Sequence, residues 1–205
     1  MKFLGPYLMS EVIFMRRKKF NVCLSGLTGS GKSTLARKLA ERYGLKRVSG
    51  GDILKELIGG KDSLYDPGWW ERDLASEAME RRLANPELDR EVDRRLMELA
   101  KEGGYVLDSW TMAYLLGPGD CIKIFLKADI EIRALRVARR DRISIEEAIR
   151  RIKLKEEETY KIYKRLYGFE LGKDLTPFHL VLDTTKLNVN DVFAIVSKFI
   201  DGWLD

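Results

Sequence analysis

Gly26-Leu27-Thr28-Gly29-Ser30-Gly31-Lys32-Ser33 fits the pattern G-x-x-x-x-G-K-[ST], with an apolar run, Phe20 to Ser25, before it and a helix-like stretch, Ser33 to Tyr43, after it. Strand, glycine-rich turn and helix in that order are the context the pattern requires. Glycines let the backbone curl until successive N–H groups converge, and the helix N-terminus adds its positive end, so the turn suits a phosphate. On this reading Gly26, Thr28, Gly29, Ser30, Gly31, Lys32, Ser33 and Thr34 cradle ATP. Lys32 reaches the β- and γ-phosphates and Ser33 offers its hydroxyl to Mg²⁺.

Outward from this turn, short apolar runs alternate with longer charged stretches of helical period, the pattern of an α/β protein with a parallel sheet. Strands are expected at Phe20–Ser25, Lys46–Ser49, Tyr105–Asp108, Cys121–Leu126 and Leu180–Asp183. Asn85 as N-cap before Pro86 opens one helix and Gly103-Gly104 stops it. Ser144 with Glu147 three residues on opens a long helix that ends at Gly168. Asp129 and Asn188 also precede helices, and Asp62–Trp70 reads as loop.

Composition narrows the classes. In 205 residues, 45% are hydrophobic and 34% charged, which suits one folded domain and excludes a disordered or membrane-spanning chain. The net charge of +5 favours anionic partners without naming one. Glu156, Glu157 and Glu158 against Lys153, Lys155 and Lys161 read as solvated, interleaved charge. Two cysteines, Cys23 and Cys121, and one histidine, His179, support neither a metal site nor a disulfide framework. The cysteines read as small buried hydrophobes in a reducing, cytoplasmic setting, and His179 as a packed residue. Residues 1–19 form an N-terminal extension whose apolar stretch has its positive charges after it, unlike a secretory signal.

Phosphoryl transfer also needs a carboxylate near the metal and cations over the moving group. Asp108, at the end of the third strand, fits the first role, where ligands of open α/β sheets collect. Arg133, Arg136 and Arg140 at i, i+3 and i+7 share a helix face and fit the second. Arg136 and Arg140 are thus expected to be catalytic beside Lys32 and Asp108, and Arg133 to help hold ATP.

Together these pieces resemble the nucleoside monophosphate kinases, and more closely the short cytidylate kinases of archaeal type. The resemblance runs from about Phe20 to Phe199 through Gly26 to Thr34, Tyr43-Gly44-Leu45, Ser49-Gly50-Gly51-Asp52-Ile53, Asn85 to Asp93, Arg133 to Asp141, Tyr163 to Gly168 and Leu180 to Thr184. It implies a P-loop NTPase fold over residues 20–205 with a five-stranded parallel sheet. It also implies a monophosphate-binding arm at about 50–102 and a short lid at about 136–162. Phosphoryl transfer from ATP to CMP or dCMP is the implied reaction.

The departures gather where the family grips its acceptor. Leu54 and Lys55 stand where Phe-Arg is usual, and Asp108 is followed by Ser109-Trp110-Thr111 rather than closely by arginine. On the long helix Lys155, Thr159 and Ile162 align with an arginine, an acidic residue and an arginine. A lysine is a mobile point charge, not a planar fork, so these replacements are not conservative. Asp52, Lys55, Trp110 and Lys155 are the expected acceptor contacts, Trp110 either as a stacking platform or as a core residue. Two alternatives stand beside cytidylate kinase. One is a P-loop kinase for a different small-molecule or nucleic-acid acceptor, and the other a nucleotide-dependent binding module without turnover. The expected partners are small nucleotides, with no membrane role and a monomeric chain. Nucleic acid is the less favoured partner, permitted by the basic run Met15 to Lys19.

Overall fold

The computed structural model describes residues 20–59 and 74–205. The extension 1–19 and the expected loop Asp62–Trp70 lie outside the described residues.

Five strands, β1 (Val22–Gly26), β2 (Lys46–Ser49), β3 (Tyr105–Asp108), β4 (Ile122–Lys127) and β5 (Leu180–Asp183), form one sheet in the order β2-β3-β1-β4-β5. Every pairing is parallel. The central strands are buried along their length, as a sheet covered on both faces demands, whereas β5 at the edge alternates between half-buried and exposed. β1 begins two residues later than the sequence suggests and β4 one residue later.

The helices are α1 (Lys32–Tyr43), α2 (Gly50–Gly59), α3 (Leu74–Ala84), α4 (Glu87–Glu102), α5 (Met112–Leu115), α6 (Ile130–Asp141), α7 (Ile145–Tyr167) and α8 (Val189–Leu204). Side chains alternate across the sheet. Val22 and Leu24 of β1 pack with Leu35 and Leu39 of α1 and Val196 and Ile200 of α8. Cys23 faces the other way, into a second core with Leu96 of α4 and Ile53 of α2. A third, smaller core joins α6 to α7 through Ala134, Val137, Ala148 and Ile152.

The punctuation read from the sequence recurs at the helix ends. Ser144 Oγ accepts from the Glu147 N–H at 3.1 Å, and Gly168 ends α7 at φ 77°. Asn188 caps α8 with Asp191 returning the bond to its backbone, a full capping box. Asn85 Oδ1 accepts from the Glu87 N–H at 3.2 Å, although the helix itself begins one residue later than expected, with Pro86 in the capping position.

One expectation is overturned. Cys23 and Cys121 are joined in a disulfide and no cysteine among the described residues is free. The two positions are 98 residues apart in sequence, and the parallel register of β1 against β4, Val22 beside Ile122, brings their Cα atoms to 6.0 Å. The expectation that they are unpaired hydrophobes holds only for their burial, at 1% and 6% exposure. His179 is packed as expected, its ring 4.3 Å from that of Trp203 and its Nδ1 accepting from the Lys123 N–H. No helix among the described residues is long and apolar enough to cross a membrane.

Candidate active site

The glycine-rich turn leaves β1 at Gly26 and enters α1 at Lys32, with Gly26, Gly29 and Gly31 at φ 139°, 79° and 101°. These are left-handed values that side-chain-bearing residues rarely adopt. At Gly26 an added Cβ would strike the carbonyl of Leu126, and at Gly29 it would lie 2.8 Å from that of Arg133. Backbone from β4 and α6 therefore presses against the turn and fixes its path.

Within the turn the hydroxyls of Thr28 and Ser30 are buried without a hydrogen-bond partner. A buried hydroxyl left so is costly unless a ligand satisfies it, and phosphate oxygens are suited to do so. Lys32 donates to the carbonyls of Gly26 and Leu27 at 2.8 and 2.9 Å. Burial pulls its ammonium down to about 8 against the opposing pull of Asp108 and Glu156.

The solvated reading of Glu156 is corrected here. Its Oε1 accepts from the Thr28 N–H at 2.8 Å and from Arg133 Nη1 at 2.6 Å, and the residue is 8% exposed, whereas Glu157 beside it is exposed. Arg133 also donates to the carbonyls of Ala128 and Thr28, so it braces the turn from below. The helical period puts Arg133 on one face with Arg136 and Arg140, yet only the latter two line the cavity that opens over the turn. Arg136 is held by Thr184 and by the carbonyls of Thr184 and Leu187. That cavity, about 620 Å³, runs from Thr28 to Thr34 and on to Leu187 and Asn188 before α8.

A second cavity, about 160 Å³, lies on the other side of the turn. The two meet at Lys32, Ser33 and Trp110. Asp108 lines the second one from the end of β3 and Ser33 lines it from the start of α1, a carboxylate and a hydroxyl whose oxygens are of the kind that suits a hard divalent cation. Arg47, which sequence reading missed, bridges Asp108 at 3.2 Å and Asp52 at 3.1 Å. Of the expected acceptor contacts, Trp110 and Lys155 line this cavity, while Asp52 and the buried Lys55 lie on α2 outside its lining. Trp110 serves both cavities, edge-on to Tyr163, with Lys32 Nζ 5.7 Å from its ring centre. Lys155 is pulled down to about 8 by burial and by the nearby cations Arg82, Lys32 and Arg140.

The far wall also came unannounced. Arg82 of α3 pairs with Asp89 of α4 through two parallel bonds, 3.1 and 2.7 Å, and both are buried. One turn on, Asp93 accepts from Thr111 Oγ1 and Tyr167 Oη. The Asn85 to Asp93 stretch signals these carboxylates in sequence, but Arg82 sits in an ordinary charged run, Glu80-Arg81-Arg82.

Residues 21–186 match the Cytidylate kinase-like family. The chain belongs to that family. Cytidylate kinase of Pyrococcus horikoshii is 39% identical over 187 residues, covering 91% of each chain, and that of Methanopyrus kandleri is 38% identical over 193 residues, covering 90% of this chain and 94% of the other. Among solved structures, shikimate kinase from Acinetobacter baumannii bound to shikimate superposes with a TM-score of 0.52 at 20% identity, over 90% of this chain and 94% of that one. Shikimate kinase from Bacteroides thetaiotaomicron gives 0.51 at 16% identity, over 90% and 98%. At such identities the likeness is one of fold. The cytidylate kinase-like family is one of nucleoside monophosphate kinases, and this member carries the phosphate-binding turn complete.

Two outcomes are expected from this geometry. Glu156→Ala leaves the Arg133 guanidinium buried without its carboxylate and frees the Thr28 N–H, so it should cost about 3–5 kcal/mol, the scale of breaking a buried pair. The KM for ATP should rise with it, and a variant with wild-type stability and KM would contradict the brace. The second concerns Asp93, whose carboxyl burial raises from 3.8 to about 6, with Asp89 adding to the rise and Thr111, Tyr167 and Arg82 opposing it. A raised carboxyl pKa stabilises the fold fully below about 3.8, and this contribution is lost as the pH climbs through 6. Asn carries no such term. The Tm of Asp93→Asn minus that of wild type should therefore be more favourable at pH 7 than at pH 4, and a difference independent of pH would refute the assignment.

Proposed function

We propose that this chain transfers the γ-phosphoryl group of ATP to a nucleoside monophosphate, releasing ADP and the nucleoside diphosphate, with CMP and dCMP as the acceptors its relatives' name suggests. The observation that carries this reading is the junction of the two cavities at Lys32 and Ser33. A donor lying in the larger one presents its terminal phosphate at the mouth of the smaller. The bond from the γ-phosphorus to its bridging oxygen breaks as one forms to a phosphate oxygen of the acceptor, with no covalent intermediate on the protein.

Catalysis then rests on positioning and on charges fixed in advance. Gly26 to Thr34 hold the donor phosphates, with Lys32 on the β- and γ-groups. Arg136 and Arg140 approach from α6, and Arg133 keeps the turn in shape. Ser33 and Asp108 would hold Mg²⁺, which neutralises phosphate charge when bound. Residues of about 50–102 act as the acceptor arm and about 136–162 as the lid, with 1–19 as an extension. Lys155 and Trp110 face the acceptor, and Asp52 and Lys55 support the arm.

A second reading, the same transfer to a different acceptor, is favoured by Lys155, Thr159 and Trp110 standing in the acceptor cavity where arginines and a carboxylate are usual in the family.

The test is ADP release with each nucleoside monophosphate and with a panel of small alcohols, in wild type, Lys32→Ala and Asp108→Asn. Acceptor-dependent release is expected from wild type. Lys32→Ala should lose about 10²-fold or more in rate, the scale of removing one preorganised charge stabiliser. Asp108→Asn should need more Mg²⁺ to reach its full rate, and its Tm should fall because the buried charge paired with Arg47 is lost. Slow release indifferent to every acceptor, or a Lys32→Ala variant with the wild-type rate, would overturn the proposal.

A further inference from the structure

The α7 residues that line the acceptor cavity are Lys155, Thr159 and Tyr163, with Ile162 beside them in the chain. Ile162 is 2% exposed and brings no polar side chain, so this helix supplies no guanidinium there. One arrives from another element. Arg82 reaches in from α3 and lines the acceptor cavity beside Lys155 and Thr159.

Its geometry is tightly defined. Asp89 takes Nε at 3.1 Å and Nη2 at 2.7 Å, and Nη1 donates to Thr159 Oγ1 at 3.3 Å and to Met79 Sδ at 3.7 Å. These contacts occupy four of the five N–H groups of a guanidinium and leave the second one on Nη2. A fork gripped on two sides cannot swing, which makes it a fixed donor rather than a searching charge. Its charge is also balanced by Asp89 at contact distance. Such a pair is matched to an uncharged polar edge better than to a phosphate dianion.

The geometry points to Arg82 as the specificity-determining residue of the acceptor pocket: pinned by Asp89 and Thr159, it donates to a ring carbonyl or an unprotonated ring nitrogen of the acceptor's base. This deepens the reading of the chain as a nucleoside monophosphate kinase and rests on it. The guanidinium of the acceptor wall thus comes from α3, with Thr159 of α7 as its support.

The experiment is kcat/KM for CMP, dCMP, UMP, AMP and GMP, together with KM for ATP and Tm, in wild type, Arg82→Lys, Arg82→Met and Thr159→Val. Arg82→Met should lose about tenfold or more in kcat/KM for the preferred acceptor, the scale of one hydrogen bond from a charged donor. Its KM for ATP should stay within about twofold of wild type, the usual reach of a change confined to the other substrate's side. The margin between the preferred and the next acceptor should shrink, partly recover in Arg82→Lys, and shrink less in Thr159→Val. If Arg82→Lys and Thr159→Val keep the wild-type ranking and margin, and Arg82→Met slows every acceptor alike in step with a fall in Tm, Arg82 is a structural ion-pair partner and the inference is overturned. A wild type that releases ADP with none of the five is a separate failure. It removes the kinase reading itself, and this inference with it.

Discussion

Three glycines at positive φ bend the chain between β1 and α1 into a turn whose path is walled by the carbonyls of Leu126 and Arg133. The fold is arranged to keep that backbone where it is. β4 lies against β1 and supplies one wall, α6 supplies the other, and Glu156 of α7 ties the Thr28 N–H to Arg133. A site that stabilises charge by fixed dipoles works only if those dipoles need not move during the reaction. The packing of α6 and α7 into their own small core meets that need, since it holds Arg133 and Glu156 on elements that brace each other.

The two sides of the site are built by different strategies. The larger cavity is made largely of one contiguous stretch, Thr28 to Thr34, closed by Arg136, Arg140 and the segment leading into α8. The smaller cavity is assembled from β3 and from α2, α3, α4 and α7, with Arg82, Lys155, Asp89, Asp93 and Asp108 among its lining. Burying that many charges is costly, and well-packed apolar residues would serve stability as well or better. What the charges provide instead is a polar surface of defined shape. A change at Arg82 of α3 or Thr159 of α7 touches none of the turn's contacts, whereas Glu156, also on α7, belongs to them.

Legibility in the sequence follows the same division. The turn, the order of strands and helices and the caps at Ser144, Asn188 and Gly168 could be read because each is a local pattern governed by backbone geometry. Asp108 was singled out by its place at the end of a strand, and Trp110 and Lys155 through the family resemblance. Glu156 was missed because it stands in Glu156-Glu157-Glu158, and nothing in the sequence tells which of three glutamates turns inward. Arg82 was missed for the same reason, since its burial depends on Asp89 across the Asn85-Pro86 turn and on Thr159, 77 residues away. The Cys23–Cys121 bridge depends on strand register, which apolar runs alone leave undetermined.

On the proposed function the two cavities form a single site with Lys32 and Ser33 at its middle. A ligand that joins adenosine to cytidine through a 5′,5′-polyphosphate chain would reach both at once, so titration calorimetry with it, compared with ATP and with CMP, tests their continuity. Tethering turns the second binding event into an intramolecular one, and the joined ligand should bind about 10²-fold or more tighter than ATP. A joined ligand that binds no tighter than ATP, or one that binds alongside added CMP, would contradict a continuous site.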